Sequence, residues 1–166
     1  MSVDAPLPGR TVTIEPFWLA YQRACNVKVP GFSASALGHT RGIADALAAL
    51  IEEGVKRAQA TPLRDFDAEG ETVPQPGDHL VVLDGDGEPR AIVRTTRVEK
   101  RLFNQIDEVF AFEAGEGDLS LSWWLTAHRQ DYAERGEAEG FAVDERLELL
   151  LEYFELVWPH PADKHG

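Results

Sequence analysis

The chain has 166 residues and a formal net charge of -13, since 29 Asp and Glu residues outnumber 16 Lys and Arg residues. This length and an apolar content of 43% are typical of one globular domain, and no apolar run reaches the ~18 residues of a membrane span. The acidic balance argues against binding to duplex DNA, because a negative surface repels polyanions.

The chain ends and the single cysteine predict a cytoplasmic domain without disulfides. Residues 1–13 are rich in Pro and Gly and predict an irregular segment, without the basic and apolar leader that directs secretion. Cys25 has no second cysteine to pair with. We expect one folded domain over residues 14–158 and a frayed tail over residues 159–166.

Apolar residues at helical spacing predict two helices in the first third of the chain. The first covers Ile14 to Cys25 in about three turns. The second runs from about Arg41 to Glu53, with Thr40 as its N-cap and Gly54 at its end. The Pro-, Gly- and Ser-rich residues 26–40 between them predict a loop.

An extended segment and a hairpin follow in the middle of the chain. Residues 55–63 predict the extended segment, and the acidic residues 64–77, with their Gly and Pro, predict a flexible loop. Two strands, His79 to Leu83 and Pro89 to Val98, are joined by a turn at Asp84 to Gly87. This Asp-Gly-Asp-Gly turn superficially resembles a calcium loop, but it lacks the distal Glu that such a loop needs.

The last third of the chain predicts two helices and one strand. A short helix over Phe103 to Phe112 precedes a tight acidic loop over Glu113 to Asp118. The second helix ends at Gly136 and Gly140. Leu147 to Trp158 is apolar on both faces, which predicts a buried central strand. One face of the second helix carries Leu121, Trp124, Leu125, His128 and Tyr132.

These elements predict an α+β fold. The strands do not alternate regularly with helices, which disfavours a doubly wound parallel sheet. We expect a mixed or antiparallel sheet that curls into a small β-barrel, with helices packed outside it.

The segment after the second helix carries side chains suited to ligand binding. Lys56 can bind a phosphate or polarise a carbonyl, and Gln59 can read a base edge or an amide. Thr61 adds a hydroxyl that can act as a nucleophile or as a ligand. The competing interpretation is a solvated edge strand.

The acidic loop places Glu116 between Gly115 and Gly117, which allow a sharp turn and the close approach of a ligand. A carboxylate held there can act as a general base, or it can bind a hard cation such as Mg²⁺ together with Asp118. Alternatively, Asp118 or Ser120 caps the following helix and Glu116 is exposed to solvent.

His128 lies on the apolar face of its predicted helix, one turn after Trp124. A histidine in this position is either a hydrogen-bonded core residue or an acid, base or stacking group at a cleft. The neighbouring Trp123 and Trp124 can supply one core anchor and one stacking platform.

A set of cations forms a further candidate, a basic patch for a nucleotide or a single strand. Such a patch is compatible with an acidic protein, because salt screens charges beyond about 10 Å. The alternative is that these side chains are solvated surface charges. The set consists of Lys56, Arg57, Arg94, Arg97, Lys100 and Arg101.

Several motifs occur in an order that is more specific than any one of them. Together they resemble the ASCH domain, a PUA-like β-barrel family, over about residues 14–158. The resemblance implies a small barrel with flanking helices and a cleft that faces the lysine segment. The motifs are Gly54 to Ala58, Pro76 to Asp78, the hairpin, Glu113 to Asp118, and Trp124-x3-His128-x3-Tyr132.

The resemblance also implies a range of functions. ASCH proteins are generally proposed to bind RNA or nucleotides, some bacterial members hydrolyse the acetyl amide of N4-acetylcytidine, and others are reported as metal-dependent ribonucleases. In the amidohydrolase pattern, Gly-x-Lys-Thr-x-Thr, Lys56 falls on the assisting lysine and Glu116 on the glutamate of the acidic loop. Gln59 replaces the nucleophilic Thr, and Arg57 replaces the first Thr. Thr61 lies on the face of Gln59 in an extended chain, about 6–7 Å further along.

We therefore expect a cleft that binds a nucleoside, a nucleotide or single-stranded RNA. The candidate catalytic residues are Lys56, Glu116 and Thr61. A catalytic cleft would hydrolyse an acylated nucleoside or RNA with a water activated by Glu116 and an oxyanion stabilised by Lys56, and Mg²⁺ or Mn²⁺ is the candidate cofactor. The alternative is a non-catalytic RNA-binding, nucleotide-binding or interaction module. The candidate ligand-binding residues are Arg57, Gln59, Trp124, His128 and Asp118.

Overall fold

The computed structural model describes residues 11–29 and 31–159, so the predictions for the two chain ends lie largely outside the described residues. The helices are α1 (Ile14–Cys25), α2 (Arg41–Glu52), α3 (Arg64–Ala68), α4 (Glu108–Ala114) and α5 (Leu121–Glu139). The strands are β1 (Ser33–Ala36), β2 (Ala58–Pro62), β3 (His79–Leu83), β4 (Pro89–Leu102) and β5 (Glu148–Trp158). None of the helices in the described part of the chain has the length and apolar character that crossing a membrane requires.

The strands form one mixed sheet in the order β1-β3-β4-β5-β2, curved into a half-barrel. β1 and β3 run parallel, and the other neighbouring pairs are antiparallel. β5 pairs with β4 on one side and with β2 on the other, so it is a buried interior strand, as its apolar residues predict, although β4 lies at the centre of the sheet. The α+β class is confirmed, and the PUA-like barrel takes the form of this half-barrel.

Helices cover both faces of the sheet. Consecutive residues of its inner strands are apolar, and their side chains point to opposite faces, so both faces are apolar. Val81 and Ile92 pack with α1 on one face, whereas Val82 and Val93 pack with α2 on the other. At the β2 edge, α4 and α5 pack over the two alanines that β2 turns toward them. The intervening side chains of β2 are therefore free to line a space beside α2.

Elements with a strong local pattern form as predicted. α1 begins and ends at the predicted residues, and α2 begins after Thr40, whose hydroxyl accepts a hydrogen bond from Ile43 N at 3.3 Å. The hairpin of β3 and β4 is also confirmed. β4 continues past the predicted end at Val98, because it stays paired with β5 up to Leu102.

The two predicted loops each contain an element that sequence pattern did not reveal. The loop over residues 26–40 contains β1, which exists through its parallel pairing with β3. The loop over residues 64–77 begins with α3, and the side chain of Arg135 binds Asp65 of this helix at 2.8 and 2.9 Å. Both predictions are wrong because distant parts of the chain stabilise these short segments.

Two predicted helix boundaries are also wrong. The helix expected over Phe103 to Phe112 is divided into a 3-10 turn (Phe103–Gln105) and α4, since Asp107 caps α4 by accepting a hydrogen bond from Phe110 N at 2.9 Å. Gly136 lies inside α5, which ends at Gly140.

Candidate functional site

A cavity of about 440 Å³ lies between α2 and α5, against β2. α2 contributes an apolar wall that includes Ile43, Leu47 and Leu50. β2, α5 and the loop before α5 contribute the polar groups. This volume is within the range of small-molecule sites in proteins. Polar side chains at the cavity include Gln59, Thr61, Glu116, His128, Asp131 and Tyr132.

Lys56 is fully buried next to this cavity and is held by three acceptors. Gly54 ends the turn after α2 with a φ of 78°, and the chain then carries Lys56 into the interior. Its Nζ donates to Ala58 O at 2.7 Å, to Ala114 O at 3.1 Å and to Glu116 Oε2 at 2.7 Å. These bonds use all three N–H groups of the ammonium, so Lys56 has none left to donate to a ligand. Its influence on the cavity is to hold the carboxylate of Glu116 in place.

The loop after α4 brings Glu116 to Lys56, and this approach depends on a glycine. Gly115 ends α4 with a φ of 72°, and a Cβ at this position would lie 2.4 Å from Val55 O. The loop backbone therefore packs directly against the chain that precedes Lys56. This contact brings together an ammonium and a carboxylate that are 60 positions apart in the sequence.

His128 continues the same chain of contacts. Its Nε2 lies 3.2 Å from Glu116 Oε1, the oxygen that Lys56 leaves open. An ionised carboxylate can only accept a hydrogen bond, so Nε2 is the donor. The imidazole stacks on buried Trp124, with 4.0 Å between ring centroids and 18° between planes. Trp124, a predicted ligand-binding residue, therefore lies behind His128 as its support.

Glu116 is ionised in spite of its burial. Burial by itself raises the pKa of Glu116, but the hydrogen bond from His128 and the charge of Lys56 lower it from 4.5 to about 2. Burial lowers the pKa of Lys56, and the Glu116 carboxylate opposes this change. Three acceptors surround Nζ and a neutral amine has only two N–H groups, so the ammonium form fits the site. A carboxylate with so low a pKa is a weak general base.

The acidic loop does not provide the ligand set of a divalent cation. The two oxygens of Glu116 already contact Lys56 and His128. Asp118 is fully exposed, and its Oδ1 accepts a hydrogen bond from Ser120 N at 2.9 Å. Across residues 11–29 and 31–159, no group of three or more His, Cys, Asp or Glu side chains could hold a metal ion. The two oxygens of Glu116 therefore already have protein partners, and Mg²⁺ or Mn²⁺ as a cofactor stays a prediction.

Arg57 lies on the opposite side of the extended chain from Lys56, as alternation requires. Its Nε donates to Glu113 Oε2 at 2.7 Å, and its guanidinium lies over the Phe112 ring. These contacts place Arg57, a predicted ligand-binding residue, outside the cavity wall.

The predicted basic patch does not assemble at the cavity. Arg94, Arg97 and Arg101 are each paired with a glutamate of β4 or β5, and Lys100 is exposed on β4. Among the described residues that line the cavity, Arg135 is the only Lys or Arg. The interpretation of these cations as solvated, paired surface charges fits their positions better.

Gln59 and Thr61 line the cavity from the same face of β2, as the alternation of the strand predicts. Gln59 stands where the resemblance places a nucleophilic Thr, and an amide cannot attack an acyl carbon. Thr61 supplies a hydroxyl on the same wall.

The wall from α5 contains residues that sequence reasoning did not assign to the site. Trp123 lines the cavity and is 39% exposed, so it is the free one of the two neighbouring tryptophans. Tyr132 lines the cavity one turn after His128, and the spacing that placed both on one face was the available signal. Asp65 and Arg135 add their bidentate ion pair to the lining.

Comparison with known proteins relates the chain to one domain family. The model of the ASCH domain family matches residues 33–158. An ASCH domain from Lactobacillus crispatus JV V101 has a crystal structure that is 34% identical in sequence, with a TM-score of 0.82 over 90% of this chain and 96% of that chain. Protein EF3133 from Enterococcus faecalis V583, described with the family model DUF984, is 25% identical, with a TM-score of 0.78 over 93% of each chain. None of the curated proteins compared with the chain matches it.

Proposed function

Because the chain belongs to the ASCH domain family, whose members are generally RNA-binding-type domains, we propose that its cavity binds a nucleobase. The base belongs to a nucleoside, a nucleotide or single-stranded RNA, and it occupies the space between α2 and α5. The observation that carries this proposal is the composition of the cavity. An apolar wall on α2 lies opposite aromatic rings and polar atoms on α5 and β2.

The apolar and aromatic side chains suit the faces of a planar base. Trp123 is partly exposed at the cavity, and a base that stacks on an exposed indole gains about 1–3 kcal/mol. Leu47 and Leu50 provide an apolar surface on α2. Gln59 and Tyr132 also line the cavity, and each has a polar atom without a partner among the described residues.

The charges at the cavity favour a ligand without phosphate. Glu116 and Asp131 are both carboxylates at the wall. Arg135 is already bound by Asp65 through two hydrogen bonds and pairs with Glu139 as well. A phosphate would therefore meet negative charge, and no unpaired Lys or Arg among the described lining residues would neutralise it. We expect a nucleoside to bind more tightly than its 5′-monophosphate.

Calorimetric titration tests this proposal directly. The probes are cytidine, uridine, adenosine, guanosine, their 5′-monophosphates and a short single-stranded RNA. Trp123→Ala should weaken the binding of the preferred nucleoside about tenfold or more. Phe112→Ala is the matched control, because this aromatic ring is exposed on α4 away from the cavity. Failure of every probe to bind at about 1 mM would overturn the proposal.

Hydrolysis is a second candidate function, and the array of Lys56, Glu116 and His128 favours it. In this reaction water adds to the acyl carbon of an acylated nucleoside, the C–N bond breaks, and the proton of the water passes to the leaving amine. Glu116 orients His128, whose second ring nitrogen can accept and deliver that proton. A hydroxyl from Thr61 is the alternative nucleophile.

Incubation with N4-acetylcytidine and with labelled single-stranded RNA separates catalysis from binding. Each substrate is tested with and without Mg²⁺ or Mn²⁺. Turnover that disappears in Glu116→Gln and His128→Asn variants with retained circular dichroism would establish the hydrolase. Saturable binding without turnover in the wild-type protein would instead identify a non-catalytic module.

A further inference from the structure

Two side chains at the cavity have hydrogen-bonding atoms without a partner among the described residues. Tyr132 comes from α5 and is only 2% exposed, and its hydroxyl contacts no acceptor or donor. Gln59 comes from β2, and its Oε1 is buried without a donor. Buried polar atoms in folded proteins are almost always bonded to protein, water or ligand. Both residues line the same cavity, so a ligand bound there is the candidate partner for these two atoms.

The hydroxyl of Tyr132 is a hydrogen-bond donor at this place. Burial raises the pKa of Tyr132, and the nearby charges of Asp131 and Glu116 raise it further, so the hydroxyl keeps its proton. Neither carboxylate accepts a hydrogen bond from it. A carbonyl oxygen or an unprotonated ring nitrogen of a ligand would supply the missing acceptor.

Gln59 provides the complementary acceptor. Its side chain lies on the face of β2 opposite Ala58 and Ala60, which pack in the core. Its cross-strand neighbour on β5 is Glu152, whose carboxylate acts as an acceptor, since it accepts a hydrogen bond from Thr95 at 2.6 Å. Glu152 therefore does not donate to the amide oxygen of Gln59. The amide oxygen of Gln59 is therefore left for an N–H group of a ligand.

We infer that Gln59 and Tyr132 are the specificity-determining residues of the cavity, and that they read a donor–acceptor edge of the bound base. This inference rests on the proposed function. A base edge that carries an N–H beside a carbonyl or ring nitrogen gives a donor to Gln59 and an acceptor to Tyr132. A base whose N–H is replaced by a methyl group leaves Gln59 unpaired and is rejected.

Two variants test the pair with little change in volume. Tyr132→Phe removes only the hydroxyl, and Gln59→Met removes only the amide. Because the hydroxyl of Tyr132 has no partner in the protein, Tyr132→Phe should leave the melting temperature unchanged or raise it. Tyr21→Phe is the matched control, since the Tyr21 hydroxyl is bonded to His79 Nε2 at 3.0 Å in a different cluster. It should lower the melting temperature and leave nucleoside affinity unchanged.

Binding is measured by calorimetry with four nucleosides and their blocked counterparts. The pairs are cytidine with N4,N4-dimethylcytidine, uridine with 3-methyluridine, adenosine with N6,N6-dimethyladenosine, and guanosine with 1-methylguanosine. Each variant should weaken the binding of the preferred nucleoside about tenfold, which corresponds to the loss of one hydrogen bond. The wild-type protein should bind each methylated counterpart more weakly than the unmodified nucleoside. Gln59→Met should lose most of this difference in affinity.

The outcomes separate this inference from the function on which it rests. If the wild-type protein binds a nucleoside and both variants keep its affinity within about twofold, the inference is overturned and the proposed function stands. If the wild-type protein binds none of these compounds, both are overturned. A melting temperature that falls as far in Tyr132→Phe as in Tyr21→Phe would reveal a structural partner of the hydroxyl, and it would also overturn the inference.

Discussion

Replacing Lys56 with Met removes a buried ammonium and leaves its three acceptors in place. Glu116 Oε2 loses its counter-charge at 2.7 Å while its side chain stays only 13% exposed, and the carbonyls of Ala58 and Ala114 lose their donor. Breaking a buried ion pair by removing one partner costs about 3–5 kcal/mol. Because domains are stable by only about 5–15 kcal/mol, this loss is a large fraction of the free energy of unfolding.

Urea denaturation at pH 7, followed by circular dichroism, measures this loss in the free energy of unfolding. Most of the loss should come from the unpaired charge of Glu116, so Glu116→Gln should be tolerated better in the Lys56→Met background than in the wild-type protein. The four proteins form a double-mutant cycle, and we expect a coupling on the order of 2 kcal/mol between the two positions.

Two results would refute this reasoning. The first is a loss below about 1 kcal/mol in Lys56→Met with an unchanged m-value, since the ammonium would then contribute little to the folded state. The second is a Glu116→Gln effect of equal size in both backgrounds, because independent sites add and coupled sites do not.

Other predictions follow from the same region. Glu116 has a pKa of about 2 in the folded protein against its ordinary 4.5, so its ionised form stabilises the fold by about 3 kcal/mol above roughly pH 5. This stability should be lost as the pH falls toward 2, and Glu116→Gln should lack that acid dependence in urea titrations across the range. Gly115→Ala should lower the free energy of unfolding by about 2–4 kcal/mol, because the added Cβ would collide with Val55 O. Gly140→Ala, with a φ of 80° and open space, should cost only about 1 kcal/mol, and equal losses would contradict the close-approach argument. Arg57→Ala should cost less than about 1 kcal/mol and leave nucleoside affinity unchanged, whereas weaker binding would show that Arg57 reaches the ligand. Treatment with EDTA should not alter ligand binding or any turnover, because both oxygens of Glu116 already contact protein groups. A loss of binding or turnover that only added Mg²⁺ or Mn²⁺ restores would contradict this prediction.

The elements that sequence pattern predicts are those whose burial is encoded in their own residues. α1 and α2 repeat apolar residues at helical spacing, and β5 is apolar on both faces. β1 alternates only Ser and Ala over Ser33–Ala36, and side chains this small give a weak strand signal, so its pairing with β3 defines it. α3 is short and acidic, and it depends on the contact between Asp65 and Arg135.

The candidate site was partly predictable from the order of its motifs. That order pointed to Lys56 and Glu116, and the structure brings the two side chains within 2.7 Å. Their catalytic roles remain predictions. Sequence could not show that Lys56 turns inward and Arg57 outward, because adjacent basic residues in an extended chain face opposite sides and carry the same charge.

Length, charge, periodicity and motif order, all properties of the sequence by itself, determined the α+β class, the acidic surface and the family resemblance. Only the tertiary structure decided which polar atoms remain without partners at the cavity. Tyr132 and Gln59 lie far apart in the chain and face one space only because α5 packs against β2. Hydrogen-bond satisfaction is a property of every group that packs around an atom, and no local pattern of residues contains that information.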